Sequence, residues 1–97
     1  MFVPTPRPRY DIPVSELNRL AERLVTRPES VDIAGVEALL AGFGYTLRKG
    51  GGSHRVFHKP GANPITVPTV GLRIKKEYIE MLARKLALED YLAAEKA

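Results

Sequence analysis

The chain has 97 residues and a formal net charge of +4, with 15 Lys and Arg against 11 Asp and Glu, and this length suits one small domain with a single hydrophobic core. It contains no cysteine, which excludes disulfide bonds and thiolate metal sites. The sequence also lacks a run of about 18 apolar residues and a signal-peptide pattern at its N-terminus, so we expect a cytoplasmic protein that does not enter a membrane.

The first third of the chain is predicted to precede the main domain. Prolines at four positions favour an extended arm over residues 1–14: Pro4, Pro6, Pro8 and Pro13. Ser15 is a candidate N-cap for a first helix, which should end before Pro28 because the residue preceding a proline disfavours helical dihedrals. Residues 15–30 are therefore interpreted as an additional N-terminal helix followed by a linker.

The next segments change from helical to alternating periodicity. A second helix is predicted to begin at Asp32, whose carboxylate can cap free backbone N–H groups. Three short strands follow over residues 45–49, 54–59 and 65–67, separated by turns that contain glycine and proline. Because the turns are tight, the strands should form an antiparallel meander. A long helix over residues 75–94 closes the chain, and its N-terminal end can receive a phosphate.

The middle strand has two mixed faces. Alternation places its residues in two sets: His54, Val56 and His58 on one face, and Arg55, Phe57 and Lys59 on the other. Because each set contains both polar and apolar side chains, the pattern does not show which face is buried.

Positive charge is concentrated in the half of the chain that contains the strands. Residues 44–85 carry nine Lys or Arg against two Glu, whereas the remainder has six basic and nine acidic residues. This asymmetry favours an anion-binding surface in that half. A solvated basic face without a specific partner is the alternative.

The motif that most suggests chemistry is Gly51-Gly52-Ser53-His54-Arg55-Val56-Phe57, followed by Thr66-Val67-Pro68. Its glycines are predicted to form a turn that presents Ser53 and His54 at the start of a strand. A histidine side chain has a reference pKa of about 6.5 and can act as a general base or acid near neutral pH. A surface histidine in a hairpin, without a chemical role, is the alternative.

Residues over about 30–90 also carry a family resemblance: Val36-Glu37-Ala38-Leu39-Leu40, Gly42-Phe43-Gly44-Tyr45, Lys49, Gly52-Ser53-His54, Phe57 and Val67-Pro68. With these residues the chain resembles HicA-family toxins, small mRNA interferases of type II toxin–antitoxin systems. The resemblance implies an α+β, dsRBD-like domain over residues 31–97, with the order α-β-β-β-α. Helices would cover one face of its three-stranded antiparallel sheet, and the N-terminal helix would be an extra element.

The resemblance further implies an endoribonuclease that cleaves mRNA without a metal or other cofactor. His54 would be its catalytic residue, as the general base that removes a proton from a ribose 2′-hydroxyl, and a HicB-type antitoxin would cover it. Seven residues are expected to contact RNA: Lys49, Ser53, Arg55, Lys59, Arg73, Lys75 and Lys76. No metal site is expected, because His54 and His58 lie about 13 Å apart along a strand.

Two other functions stay open from the sequence. Many relatives carry a histidine near position 70, where this chain reads Thr69-Val70-Gly71, and His58 is its only other imidazole. This difference favours a non-catalytic RNA-binding module of the same fold. The proline-rich arm and first helix favour an interaction protein whose N-terminal extension mediates assembly.

Overall fold

The structure is a computed structural model that describes residues 13–49 and 53–96. Within those ranges the chain forms four helices and five strands. In chain order they are α1 (Val14–Val25), β1 (Ser30–Asp32), α2 (Ile33–Gly42), β2 (Thr46–Lys49), β3 (His54–His58), β4 (Ile65–Pro68), β5 (Arg73–Lys75), α3 (Lys76–Lys85) and α4 (Leu88–Lys96). Most of the predicted arm over residues 1–14 lies outside the described residues. None of the helices within the described ranges is long and apolar enough to cross a membrane.

Helix α1 begins without a side-chain cap. The N–H of Leu17 donates to the carbonyl oxygen of Pro13 at 3.0 Å, so Pro13 is the N-cap residue and Ser15 lies inside the first turn. The prediction that Ser15 caps this helix is therefore wrong. The fixed φ of proline suits the extended entry to the helix, and its carbonyl accepts the first helical hydrogen bond. The helix ends at Val25, ahead of Pro28, as predicted.

Helix α1 is part of the main hydrophobic core. Its buried residues Leu17, Ala21 and Leu24 belong to one cluster with buried residues of α2, the strands, α3 and α4. A chain of this size can support one such core. The core therefore continues across residue 30, where the sequence analysis placed the start of the main domain.

Strands β1 and β5 form a two-stranded antiparallel ribbon that the sequence analysis did not predict. Val31 and Ile74 pair at its centre and are both buried. Asp32 stands at the N-cap position of α2, as predicted, but its carboxylate forms no cap hydrogen bond. It accepts a hydrogen bond from Nη1 of Arg73 at 3.1 Å instead. The ribbon thus joins the start of α2 to the segment that leads into α3.

The larger sheet has the strand order β2-β3-β4 with antiparallel neighbours, which confirms the predicted meander. One face carries Phe57, Ile65 and Val67, which are at most 3% exposed and belong to the core. A register irregularity between Leu47 and Lys49 interrupts the pairing of β2 with β3. The chain is therefore an α+β protein in which helices cover one face of a three-stranded antiparallel sheet.

The single helix predicted over residues 75–94 is wrong, because α3 and α4 are separated by Leu86 and Ala87. Ala87 has φ +50, a left-handed conformation. In one continuous helix Leu88 would lie about 180° around the axis from Ile79, on the solvent side. The break brings Leu88 into the core, where it is fully buried. Burying a leucine gains about 2 kcal/mol, which exceeds the cost of about 1 kcal/mol for one left-handed alanine.

Candidate active site

The face of the sheet that points away from the core carries the Ser53–His54 motif. We call it the open face, and its residues pair across the strands as Thr46 with His58, Val56 with Thr66, and His54 with Pro68. Along β3, His54 is exposed, whereas Phe57 on the covered face is 1% exposed. The structure thereby shows which face of β3 is buried, a point that the mixed alternation of polar and apolar residues left open.

His54 and Ser53 lie at the end of the sheet where β3 begins and β4 ends. The imidazole of His54 is exposed, and its Nδ1 atom is 3.2 Å from Oγ of Ser53. The carbonyl oxygen of Ser53 accepts a hydrogen bond from the N–H of Thr69 at 2.8 Å. This backbone bond anchors the pair to the residue that follows β4, so the imidazole is positioned by the sheet and remains open to a large ligand.

The contact between Ser53 and His54 determines which chemistry each imidazole nitrogen can perform. When Nδ1–H donates to Ser53 Oγ, the Nε2 atom holds a lone pair that can accept a proton from a ligand. When the Ser53 hydroxyl donates to Nδ1, Nε2 carries the proton and can donate a hydrogen bond to a ligand but cannot accept a proton from it. Within the described residues no carboxylate hydrogen-bonds to this imidazole. In enzymes with a serine nucleophile, a third group such as a carboxylate orients the histidine base, and Ser53 and His54 lack such a group among these residues.

His58 does not join His54 in one site. The two histidines are four residues apart on the same face of β3, which corresponds to about 13 Å at the rise of a strand. His58 is half-buried, and its carbonyl oxygen accepts a hydrogen bond from the Thr46 hydroxyl at 3.4 Å. Across the part of the chain that the structure describes, no three His, Asp or Glu side chains are grouped to hold a metal ion.

Arg55, one of the residues expected to contact RNA, lies on the covered side of the sheet. Its Nη1 donates to Oε2 of Glu37 in α2 at 3.0 Å, and the two side chains are 19% and 15% exposed. Its Nε is buried and has no hydrogen-bond partner in the described ranges. Arg55 therefore joins the sheet to α2, and the structure does not bring it together with His54.

Three other expected RNA contacts are exposed on the ribbon and at the start of α3: Arg73, Lys75 and Lys76. Arg73 donates to Oγ of Ser30 at 2.8 Å and to Asp32 at 3.1 Å. Nζ of Lys76 is 3.9 Å from a carboxylate oxygen of Glu29. Exposed ion pairs of this kind contribute at most about 1 kcal/mol, so these cations can exchange their present partners for phosphate oxygens.

The remaining two expected contacts flank the sheet. Nζ of Lys59, just after β3, is 5.5 Å from the centroid of the Tyr45 ring, within the range of a cation–π contact. Lys49 ends β2, where its backbone pairs with Val56, but its side chain lies outside the described residues, as do Gly50–Gly52. Among the expected site residues with described side chains, only Ser53 contacts His54.

Sequence analysis missed an exposed apolar pair next to this site. Val70 and Leu72 are 60% and 67% exposed in the turn that follows β4. Gly71 lies between them at φ +62, a left-handed conformation that glycine adopts readily. The signal available in the sequence was this glycine between two aliphatic residues, directly after the strand that ends at Pro68.

Comparisons of this chain with family models, with curated proteins and with solved structures find no match. Its function is therefore inferred from its own residues and their geometry. The features that bear on it most are the exposed imidazole of His54, the hydroxyl of Ser53 beside it, and the separation of both from the partly buried Arg55–Glu37 pair.

Proposed function

We propose that this chain is a toxin of the HicA type, a metal-independent endoribonuclease that cleaves mRNA in the cytoplasm and is neutralised by a HicB-type antitoxin. The observation that carries the proposal is the exposed imidazole of His54 with Ser53 Oγ at 3.2 Å, at one end of the open face. The order of α2, three antiparallel strands and α3 supports it. We include a dsRBD-like arrangement of these elements in the proposal.

In this mechanism His54 acts as a general base on RNA. Its Nε2 removes the proton of a ribose 2′-hydroxyl, the 2′ oxygen attacks the adjacent phosphorus, and the bond from phosphorus to the 5′ oxygen breaks. The products are a 2′,3′-cyclic phosphate and a 5′-hydroxyl end, and the leaving oxygen takes a proton from water. A positioned base contributes about 10²- to 10⁴-fold in rate. Because no second imidazole faces His54, the account implies a slow enzyme.

Binding of the RNA strand is assigned to hydroxyl and cationic side chains around the open face. Ser53 would contact a phosphate oxygen beside His54, while Lys49 and Lys59 would flank the sheet. Arg73, Lys75 and Lys76 would continue the contacts along the ribbon, where their exposure leaves them accessible. Each phosphate contact of this kind should appear as a salt-dependent contribution to affinity.

The test is cleavage of a labelled mRNA fragment by the purified full chain in EDTA. Wild type, His54→Ala and Lys85→Ala are compared, since Lys85 is an exposed residue of α3 outside the proposed site. We expect cleavage by the wild type and by Lys85→Ala, and none above background by His54→Ala. Cleavage by His54→Ala at the wild-type rate would contradict the assignment.

A second candidate function is an RNA-binding module without catalysis. It is favoured by the residues after β4, Thr69-Val70-Gly71, which supply no second imidazole near His54. Expression in a bacterial host separates the two candidates. The toxin proposal requires growth arrest that His54→Ala relieves, whereas the binding module predicts RNA retention at low salt with no cleavage and no dependence of growth on His54.

A further inference from the structure

A groove that includes none of the residues of the open face lies between α1 and the ribbon. Its volume is about 380 Å³. Arg19 and Arg23, one helical turn apart, form its α1 wall, and Arg73 of β5 lines it as well. Leu20 and Gly35 contribute aliphatic surface between these cations. The groove therefore combines apolar surface with a rim of guanidinium groups.

The three arginines differ in how far their charge is already neutralised. Arg73 is hydrogen-bonded to Asp32, which also lines the groove. The side chain of Arg19 is bound to Glu16, and this hydrogen bond holds the pKa of the Glu16 carboxyl below its usual value. Arg23 forms no ion pair with any residue of the ranges 13–49 and 53–96. Within the described residues, the rim thus has one cation without a carboxylate partner and two cations whose partners are exposed and exchangeable.

Gly35 lines the groove and has no side chain to fill it. A Cβ atom placed on Gly35 would meet Leu20 Cδ2 at 3.5 Å, an ordinary van der Waals contact. The backbone of Gly35 is helical, so a side chain fits there without strain. A longer side chain at this position would occupy space that is now open, which makes Gly35 a site where the groove can be filled while the fold is retained.

We propose that this groove binds an acidic segment of a partner protein in which an aliphatic side chain is flanked by carboxylates. The aliphatic side chain would lie against Leu20 and Gly35, and the carboxylates would pair with Arg23 and Arg19. Arginine is suited to this because its planar guanidinium binds a carboxylate through two hydrogen bonds. The proposal does not depend on the chemistry assigned to His54.

Charge and surface chemistry distinguish this occupant from two others. The described lining residues include no aromatic ring on which a nucleobase could stack, which disfavours single-stranded RNA as the occupant. The chain's own N-terminal residues 1–12 carry Arg7 and Arg9 against Asp11, so their charge does not complement the rim. An acidic partner segment with an aliphatic side chain matches both the apolar surface of the groove and the positive charge of its rim.

The test uses fluorescence anisotropy with a labelled nonapeptide probe in which two leucines are flanked by glutamates. Matched probes replace every glutamate by glutamine or both leucines by serine. We expect the full wild-type chain to bind the first probe more tightly than either matched probe. Arg23→Glu should weaken binding by about tenfold or more, because it places like charges together, and Gly35→Met should weaken it by occupying the groove. Lys85→Glu, the same charge reversal outside the groove, should leave binding unchanged.

Three results would overturn the proposal. Equal weakening by Arg23→Glu and Lys85→Glu would show only general attraction between opposite net charges. Displacement of the probe by single-stranded RNA, with the same dependence on Arg23 and Gly35, would make the groove an RNA site. Concentration-dependent dimerisation that Gly35→Met abolishes would assign the groove to a second copy of the chain. Circular dichroism of each variant confirms that a loss of binding is not a loss of fold.

Discussion

The covered and open faces of the three-stranded sheet alternate residue by residue along β3, yet their environments differ. On the covered face Phe57 is 1% exposed and Arg55 is paired with Glu37 of α2. On the open face His54 is exposed, with the hydroxyl of Ser53 beside it. One strand therefore attaches the sheet to the helices and also presents an imidazole to solvent. Substitutions on the two faces should separate stability from activity.

The largest expected effect is on the open face. His54→Ala should lower the rate of RNA cleavage by about 10²- to 10⁴-fold, because it removes the proposed base. It should change the free energy of unfolding by no more than about 0.5 kcal/mol, since the side chain is exposed. Initial rates and urea denaturation measure the two quantities. A large loss of stability in His54→Ala would contradict the assignment of His54 to the exposed face.

His58→Ala tests whether the effect is specific to His54, since His58 shares the open face but lies at the other end of β3. We expect its cleavage rate to stay within about tenfold of the wild type, because the two imidazoles are about 13 Å apart. Equal losses in the two histidine variants would instead make His58 the missing second catalytic group.

On the covered face, Phe57→Ala should lower the free energy of unfolding by about 3–5 kcal/mol through the cavity that it leaves. Val56→Ala, one residue earlier and half-buried on the open face, should cost about 1 kcal/mol. Urea denaturation checks both values. If Phe57→Ala does not fold, Phe57→Leu provides the measurable member of the pair. Similar costs at the two positions would contradict the assignment of faces.

The Arg55–Glu37 pair tests whether a cation of the motif binds RNA. Glu37→Gln should destabilise the protein by about 1–3 kcal/mol, because it leaves a largely desolvated guanidinium without its charged partner. It should not change the salt dependence of RNA binding. Lys75→Ala removes an exposed cation. It should lower the magnitude of the salt slope, which is the slope of log affinity for RNA against log salt concentration, by about 1 with little effect on stability. A lowered salt slope in Arg55→Met would place Arg55 on the RNA.

The smallest expected effect lies away from both faces. Ala87→Gly should raise the free energy of unfolding by about 0.5–1 kcal/mol, because glycine adopts the left-handed conformation at φ +50 without steric cost. Ala93→Gly, at an exposed position inside α4, should lower it by about 1 kcal/mol. Thermal denaturation distinguishes the expected increase in stability of Ala87→Gly from the expected decrease in Ala93→Gly. Neither variant should alter the rate of RNA cleavage. Unchanged rates in both variants would show that the cleavage rate does not follow the free energy of unfolding.

The sequence was sufficient to predict the three-stranded meander, because alternation and the turns around Pro60-Gly61 are local signals. It also placed Ser53 and His54 together at the start of a strand. The orientation of β3 could have been inferred from Ile65 and Val67, whose alternation marks the covered face of the neighbouring strand.

The remaining features depend on contacts between distant parts of the chain. The ribbon pairs Ser30–Asp32 with Arg73–Lys75, and three residues are too few to show a periodicity. The break at Ala87 allows Leu88 to pack in the core. This packing involves residues distant in sequence, so local helix propensity does not predict the break. The partner of Arg55 is likewise a residue of another element, Glu37, so the sequence could not show that this cation is already paired.

The most direct measurement of the central claim is the chemistry of the RNA ends produced by the full chain in EDTA. If His54 is the general base, the wild type should yield 2′,3′-cyclic phosphate and 5′-hydroxyl ends, and His54→Ala should yield neither above background. Fragments with 5′-phosphate ends, or the same cyclic ends from His54→Ala, would contradict the account.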